Sequence, residues 1–378
     1  MLKVALDATP LRGARTGIGE FCFRALEALV PRGDLEVGAF ALSRHGRQAI
    51  TGLVPAGVGV LGLPGPGVPA RLLNASWARW PFPPAGLYTG KVDVVHGTNF
   101  VVPPARRAAM VVSVHDLSPW HFPQWCRPAA RAYPDLVHKA VKRGAWVHTD
   151  SQFVAGELVD ALGMPEERVR TVYLGTSAPA RSARTGPRPG LLPDWVTAYV
   201  LALGTVEPRK DLPTLVAAFG RAAGARPGLA LVIAGPEGLG TPALQEAVAA
   251  CPARDRILQL GWVDEAARDG LVAGATVYAY PSRYEGFGLP PLQAMAAGTP
   301  VVATGAGALA EVLGDAAWLV EVGDADALAQ ALETLVDDTG VRQALAGKGL
   351  ERAGHFTWDA CAAGLATLYH EASQARSA

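Results

Sequence analysis

A carboxylate, a glycine-rich loop and a polar side chain on the following helix can hold a sugar, a phosphate and a ribose in turn. The segment Tyr280-Pro281-Ser282-Arg283-Tyr284-Glu285-Gly286-Phe287-Gly288-Leu289-Pro290-Pro291-Leu292-Gln293 has that order. It reads as a strand ending near Glu285, a loop through Gly286, Phe287, Gly288 and Leu289, and a short helix that carries Gln293. Pro290 and Pro291 suit a helix's first turn, Gly298 suits its end, and Pro300-Val301-Val302 opens the next strand. A loop feeding a helix start presents unpaired backbone N–H groups, which suit phosphate or sugar hydroxyls.

The second stretch is Leu201-Ala202-Leu203-Gly204-Thr205-Val206-Glu207-Pro208-Arg209-Lys210-Asp211-Leu212. A strand ends at Gly204, and Asp211 is placed to cap a helix from Leu212. Arg209 and Lys210 stand just before that helix, where cations oppose its dipole at roughly 0.3–1 kcal/mol each. A bound diphosphate would account for the pair; a solvated surface pair is the plain alternative.

Two further candidates lie in the first half. Asp7-Ala8-Thr9-Pro10-Leu11-Arg12-Gly13-Ala14-Arg15-Thr16-Gly17-Ile18-Gly19 joins the first strand to the first helix, and Gly17 and Gly19 allow close backbone approach to a ligand. A tight turn without a ligand has the same appearance. In Val111-Val112-Ser113-Val114-His115-Asp116, His115 ends an apolar strand, where it can contact a sugar hydroxyl, stabilise charge, or serve the fold. His96 occupies a similar strand end and is an acceptor-side candidate.

The elements that must position these residues alternate between apolar strands and amphipathic helices. Expected strands are Lys3–Asp7, Glu36–Ala41, Val92–His96, Met110–His115 and Trp146–Thr149, then Tyr199–Gly204, Leu229–Ala234, Ile257–Leu260, Thr276–Tyr280 and Pro300–Ala303. Many are apolar on both faces, as parallel strands covered on two sides require. The fold class is α/β, with two Rossmann-like doubly wound parallel-sheet domains facing a cleft. Residues 1–176 form the first domain, 177–193 a Ser/Ala/Arg/Gly/Pro-rich linker, and 194–355 the second. Residues 356–378 form a C-terminal helix that can pack back on the first domain.

Half of the 378 residues are hydrophobic and the formal net charge is zero, so nothing points to nucleic acid. Cys22, Cys126, Cys251 and Cys361 are scattered, without metal-ligand spacing, and read as reduced core thiols. The start Leu2-Lys3-Val4-Ala5-Leu6-Asp7 is strand-like, which is not how a signal peptide begins. Asp324-Ala325-Asp326 imitates a metal motif but precedes a helical run, where capping is the simpler role, and no metal site is expected. Trp77, Arg79, Trp80, Pro81 and Phe82, with the basic residues between 106 and 143, would suit a membrane interface. Tryptophans in a core and a solvated basic helix face explain them equally.

The Glu285 segment and Glu207-Pro208-Arg209-Lys210 resemble the nucleotide-sugar site of the retaining glycosyltransferases of family four, supported by the Gly17 loop and the His115-Asp116-Leu117 triplet. The resemblance runs through Phe356-Thr357-Trp358, and its fold is the two-domain GT-B type. It implies transfer of a sugar from a nucleoside-diphosphate sugar to a hydroxyl on a glycan or glycolipid, with retention and without a cofactor or metal. Arg209 and Lys210 match the family's diphosphate pair, Glu285 its sugar-orienting carboxylate, and His115 its donor-sugar histidine. The Gly17–Gly19 loop faces phosphate and acceptor in that family. Gln293 stands where the family has a second Glu, at the ribose. The overall look is closest to mannosyltransferases using GDP-mannose; the alternatives are another donor such as UDP-glucose, or an inactive sugar-nucleotide-binding relative. The expected location is the cytoplasm, with peripheral contact at the inner face of the membrane.

Overall fold

Strands apolar on both faces form the interior of two sheets, and helices with one apolar stripe cover them. The computed structural model describes residues 1–13, 17–43, 45–62, 68–177 and 190–377. Most of the expected linker, 178–189, therefore lies outside the described residues. The chain divides into two compact units, Met1–Gly175 with Thr357–Ala378, and Thr176–Phe356.

The described part of the first unit contains a parallel sheet in the order β3-β2-β1-β4-β5-β6-β7. Its strands are β1 (Leu2–Asp7), β2 (Leu35–Phe40), β3 (Gly59–Val60), β4 (Val94–Gly97), β5 (Ala109–Val114), β6 (Trp146–Thr149) and β7 (Val169–Thr171). The second sheet runs β10-β9-β8-β11-β12-β13. These strands are β8 (Ala198–Leu203), β9 (Leu229–Ala234), β10 (Ile257–Gly261), β11 (Val277–Tyr280), β12 (Val301–Thr304) and β13 (Trp318–Val320). Both are the doubly wound order in which the chain reverses its direction of travel once, between β1 and β4 and between β8 and β11. Loops leaving the strands on either side of such a reversal part from one another and open a crevice at the carboxyl edge.

Every strand expected from the sequence is present. The additional ones, β3, β7 and β13, have two or three residues each, too few to show a period. β5 and β9 are buried along their whole length, as the continuous runs AMVVSV and LALVIA require of central parallel strands. The helix Leu212–Ala222 buries Leu212, Leu215, Val216, Phe219 and Ala222, the i, i+3, i+4, i+7 stripe of a surface helix. That stripe and the helix Ala325–Asp337 lie in one core cluster with β8, β9 and β11.

The C-terminal helix Trp358–Ser377 belongs to the first unit, against the helix Gly17–Leu29 and β5. Its residues Cys361, Leu365, Leu368 and Tyr369 are buried. Arg170 donates to Glu371 at 2.8 Å and His370 meets Asp34 at 3.1 Å.

The aromatic and basic cluster divides. Trp77 is core, with its indole N–H on the Pro83 carbonyl at 2.9 Å, whereas Trp80 and Phe82 are each 64% exposed. Lys139 and Arg143 spend their N–H groups on the carbonyls of Ala78 and Trp77, at 2.5 and 3.0 Å. Among the described residues no helix is long and apolar enough to cross a membrane. The four cysteines are free thiols, three of them buried. Asp324 caps the helix Ala325–Asp337, accepting from the amides of Asp326 and Ala327 at 3.1 and 2.9 Å.

Candidate active site

In the second unit the loops leaving β8 and β11 flank the reversal, and they carry Arg209 and Lys210 on one side and Glu285 on the other. The backbone ties them first: the Arg283 amide donates to the Arg209 carbonyl at 2.7 Å. A two-point ion pair then joins Arg283 to Asp211, with Nε–Oδ2 at 3.0 Å and Nη2–Oδ1 at 3.2 Å. This corrects the capping expected of Asp211. It stands before the Leu212 helix but has φ 47°, ψ 41°, and no side chain caps that first turn. Its carboxylate gains more from a guanidinium than from an amide, because both partners of the ion pair are charged.

Glu285 is the meeting point. Arg209 Nη1 lies 2.5 Å and Lys210 Nζ 2.9 Å from the same oxygen, Oε1. Lys210 also donates to the Tyr280 hydroxyl, and Arg209 Nε holds Glu207 at 2.9 Å. Lys210 is only 8% exposed and Glu285 7%. The cations are thus paired internally rather than standing alone at a helix entrance.

The electrostatics follow from this packing. Burial alone would raise the Glu285 carboxyl, but the charges of Arg209 and Lys210 outweigh it and bring it to about 2. Burial, reinforced by Arg209, lowers the Lys210 ammonium against the pull of Glu285. Burial and the Glu285 charge push the Tyr280 hydroxyl up, so it remains a neutral donor and acceptor. The result is an ionised carboxylate and two cations fixed without water between them, a preorganised set of charges.

A close backbone approach holds this carboxylate in place. The Ala308 amide donates to the Glu285 carbonyl at 2.9 Å. A Cβ on Gly307, which has φ 60°, would lie 2.3 Å from that carbonyl, so only glycine fits. The loop then enters the helix Leu289–Ala296 through Gly288, at φ 101°, and no side chain caps it. Pro290 and Pro291 have no N–H, which leaves Gly288 and Leu289 to supply amides at this helix start. Gln293 follows on the same helix, half-buried.

In the first unit the reversal lies between β1 and β4. Asp7 closes β1, buried, accepting from the amide and hydroxyl of Thr9 at 2.9 and 2.5 Å. Burial raises its carboxyl to about 6 despite those bonds. Thr98, after β4, donates its hydroxyl to the Asp7 carbonyl at 2.5 Å. Gly97 makes this turn possible, since a Cβ there would come within 1.9 Å of the Val101 carbonyl oxygen.

Gly17 begins the helix Gly17–Leu29, and a Cβ at Gly19 would approach the Pro10 carbonyl oxygen to 3.1 Å. Residues 14–16 of that loop lie outside the described residues.

His115 stands at the exit of β5 with both ring nitrogens engaged. Nδ1 meets Asp150 Oδ2 at 2.7 Å and Nε2 meets the Thr98 carbonyl at 2.8 Å. His96 is corrected as a ligand candidate: it is 0% exposed, bonded to Tyr369 at 2.7 Å and Ser113 at 2.8 Å. Burial, with His148 and His115 nearby, lowers its pKa, so it is a neutral core histidine.

Glu207, Tyr280 and Arg283 stood inside the quoted segments without a role, Asp211 stood there as a helix cap, and their ion pairs and hydrogen bonds were not foreseen. Asp150 was not named at all, and only asking what leaves β6 beside His115 would have found it.

Residues 195–352 match the family described as "Glycosyl transferases group 1", and residues 15–178 match "Glycosyltransferase Family 4". The O-antigen chain mannosyltransferase B of Escherichia coli is 31% identical over 300 residues, 77% of this chain and 76% of that one. The MMP alpha-(1->4)-mannosyltransferase of Mycolicibacterium hassiacum is 43% identical over 106 residues, 27% of this chain and 26% of that one. Among solved structures, Anabaena HepE in complex with UDP and glucose superposes with a TM-score of 0.71 at 20% identity, over 97% of this chain and 99% of that one. Two doubly wound parallel sheets with this site define a glycosyltransferase of GT-B architecture. The chain belongs to glycosyltransferase family four.

Proposed function

We propose that the protein transfers mannose from GDP-mannose to a hydroxyl of a cell-envelope glycan or glycolipid, with retention at the anomeric carbon. The observation that carries the reading of the site is the convergence of Arg209, Lys210 and Glu285 at the β8/β11 reversal. The choice of mannose is supported by the names of the two relatives. In this reading Arg209 and Lys210 take up charge as it builds on the departing diphosphate, together with the amides at the two uncapped helix starts. Glu285 orients sugar hydroxyls beside the backbone of Gly286, Phe287, Gly288 and Leu289, and Gln293 bonds the ribose. His115 serves the donor sugar, and the Gly17–Gly19 loop the phosphate and the acceptor. The reaction takes place in the cytoplasm, at the inner face of the membrane when the acceptor is a glycolipid.

UDP-glucose is the second reading of the donor, favoured by the UDP and glucose of the HepE complex. A thermal-shift series with GDP-mannose, UDP-glucose and the bare nucleotides decides between them. GDP and GDP-mannose should raise the melting temperature most, because a ligand that binds only the folded state stabilises it by mass action. A shift confined to uridine nucleotides would overturn the mannosyl assignment.

Turnover is expected without a divalent metal, since Arg209, Lys210 and helix amides supply the positive charge that a metal provides elsewhere. Loss of turnover on chelation, restored by magnesium or manganese, would contradict this.

Gln293 offers a ribose one acceptor and one donor group, where a carboxylate offers two acceptors. Hydrogen bonds to charged groups contribute roughly 1.5–3 kcal/mol against about 1 for neutral ones. Gln293→Glu should therefore tighten nucleoside-diphosphate binding by at most about tenfold, or 1.4 kcal/mol, and Gln293→Ala should weaken it. Calorimetric titration of the three proteins checks this. Unchanged binding by Gln293→Ala would remove Gln293 from the ribose. A wild type that binds nothing beside a Gln293→Glu that binds well would mark the natural protein as an inactive relative.

A further inference from the structure

A buried chain of polar side chains crosses the first unit behind His115, and its hydrogen bonds assign every proton in it. His148 Nε2 lies 3.1 Å from the Val172 carbonyl, which can only accept, so Nε2 carries the proton. Burial lowers the His148 pKa, so its ring is neutral, and Nδ1 must accept from the Ser113 hydroxyl at 2.8 Å. Ser113 then accepts from His96 Nε2 at 2.8 Å, and neutral His96 accepts at Nδ1 from the Tyr369 hydroxyl at 2.7 Å. The chain runs in one direction, from the C-terminal helix through β4 and β5 to β6, and every histidine in it is neutral.

His115 follows the opposite rule. Both its ring nitrogens face groups that accept: the Thr98 carbonyl at 2.8 Å and the Asp150 carboxylate at 2.7 Å. A neutral imidazole has a single N–H and would keep both contacts only if the buried Asp150 carboxyl carried the second proton. The other Asp150 oxygen lies 3.7 Å from His148 Nε2, whose proton is already on Val172, so it stays close to a positive hydrogen without a full bond.

We propose that Asp150 is a positioning residue that holds His115 as a fixed imidazolium at the carboxyl edge of the first sheet, and that His115 serves transfer through this charge. With both N–H groups engaged, the ring has none to offer a sugar hydroxyl, and what it presents is a cation, which favours the negative charge that builds as the sugar leaves its diphosphate. Asp150, opposed by burial, raises the His115 pKa, which agrees with that state. The titratable groups around the ring are Asp150 and His148 from β6 and its exit, Asp116 beside it, and His96 from β4. Cys361, on the C-terminal helix, feels the charge of Asp150. The helix Gly17–Leu29 brings the Phe21 ring to 5.3 Å, and the loop after β4 brings the Phe100 ring to 6.0 Å beside the Thr98 carbonyl. No acid other than Asp150 touches His115 among the described residues, so removing Asp150 removes its counter-ion.

The functional half rests on the reading of His115 as facing the transferred sugar, so the test separates charge from catalysis. Nitrogen-15 spectra of the histidine-labelled full chain should show His115 protonated on both nitrogens at about pH 7.5, with His96 and His148 protonated on Nε2 alone. A neutral His115 in the wild type overturns the proposal, and no variant is needed to see it. In Asp150→Asn the His115 proton should be lost at lower pH. The alkaline limb of kcat with GDP-mannose should move the same way, so that at about pH 8 turnover falls roughly ten- to a hundredfold while KM changes little. Asp150→Glu should restore the profile. A uniform loss with an unmoved alkaline limb would reduce Asp150 to a structural role and overturn the proposal. A charged His115 together with wild-type turnover by His115→Gln would overturn the placement of His115 at the sugar, separately from its charge state.

Discussion

Lys210→Ala and Arg209→Ala are each expected to lower kcat at saturating donor by about a hundred- to a thousandfold. In the proposed function each variant removes a cation that meets charge developing only as the sugar departs. Losing one such preorganised donor costs roughly 3–4 kcal/mol of barrier. The two variants should differ in their effect on the fold. Lys210 is buried against Glu285 and Tyr280, so its loss leaves a packing defect and a carboxylate held by Arg209 alone. Arg209 keeps more of its side chain in solvent and also faces Glu207, so Arg209→Ala should melt closer to wild type. Single-turnover rates and melting temperatures measured together separate the two effects. Near-normal turnover by both variants would end the assignment of this pair to the leaving diphosphate.

Glu285→Gln should have an effect of the same order on turnover and a distinct signature in stability. The amide keeps the shape and removes the charge, so Arg209 and Lys210 face each other without their shared counter-ion. The Glu285 carboxyl lies at about 2 in the folded protein against an ordinary 4.5. Because the folded value is the lower one, the ionised carboxylate stabilises the fold fully above about pH 4.5. That contribution is lost as the pH falls toward 2. A shift of this size corresponds to roughly 3 kcal/mol at neutral pH, at most, since burying Lys210 takes part of it back. Glu285→Gln should therefore melt well below wild type at neutral pH, and the gap should narrow steadily below about pH 4.5. A gap independent of pH would mean that the loss is one of packing, not of charge.

Several features of this protein are legible in the chain itself, because they depend on near neighbours. LALVIA and AMVVSV are apolar on both faces, and that alone makes them covered parallel strands. Pro290 and Pro291 ahead of Gly298 bound a short helix, and Glu285 and the Arg209-Lys210 pair stand out because each ends a strand or precedes a helix. The two- and three-residue strands β3, β7 and β13 are invisible for the same reason: they are shorter than any period.

What only the tertiary structure decided is which polar groups meet. Strand order cannot be read along a sequence, and it is the adjacency of β8 and β11 that brings Lys210 to Glu285, 75 residues away. The same adjacency took Asp211 from the helix it precedes and gave it to Arg283. His96 and His115 look alike in sequence, each at the end of an apolar strand. β4 lies in the sheet interior under Tyr369 of the C-terminal helix, and burial lowers the His96 pKa there; the exit of β5 lies beside the exit of β6, and Asp150 raises the His115 pKa against burial. A side chain's charge depends on what is packed against it, and those neighbours come from strands and helices far away in the chain.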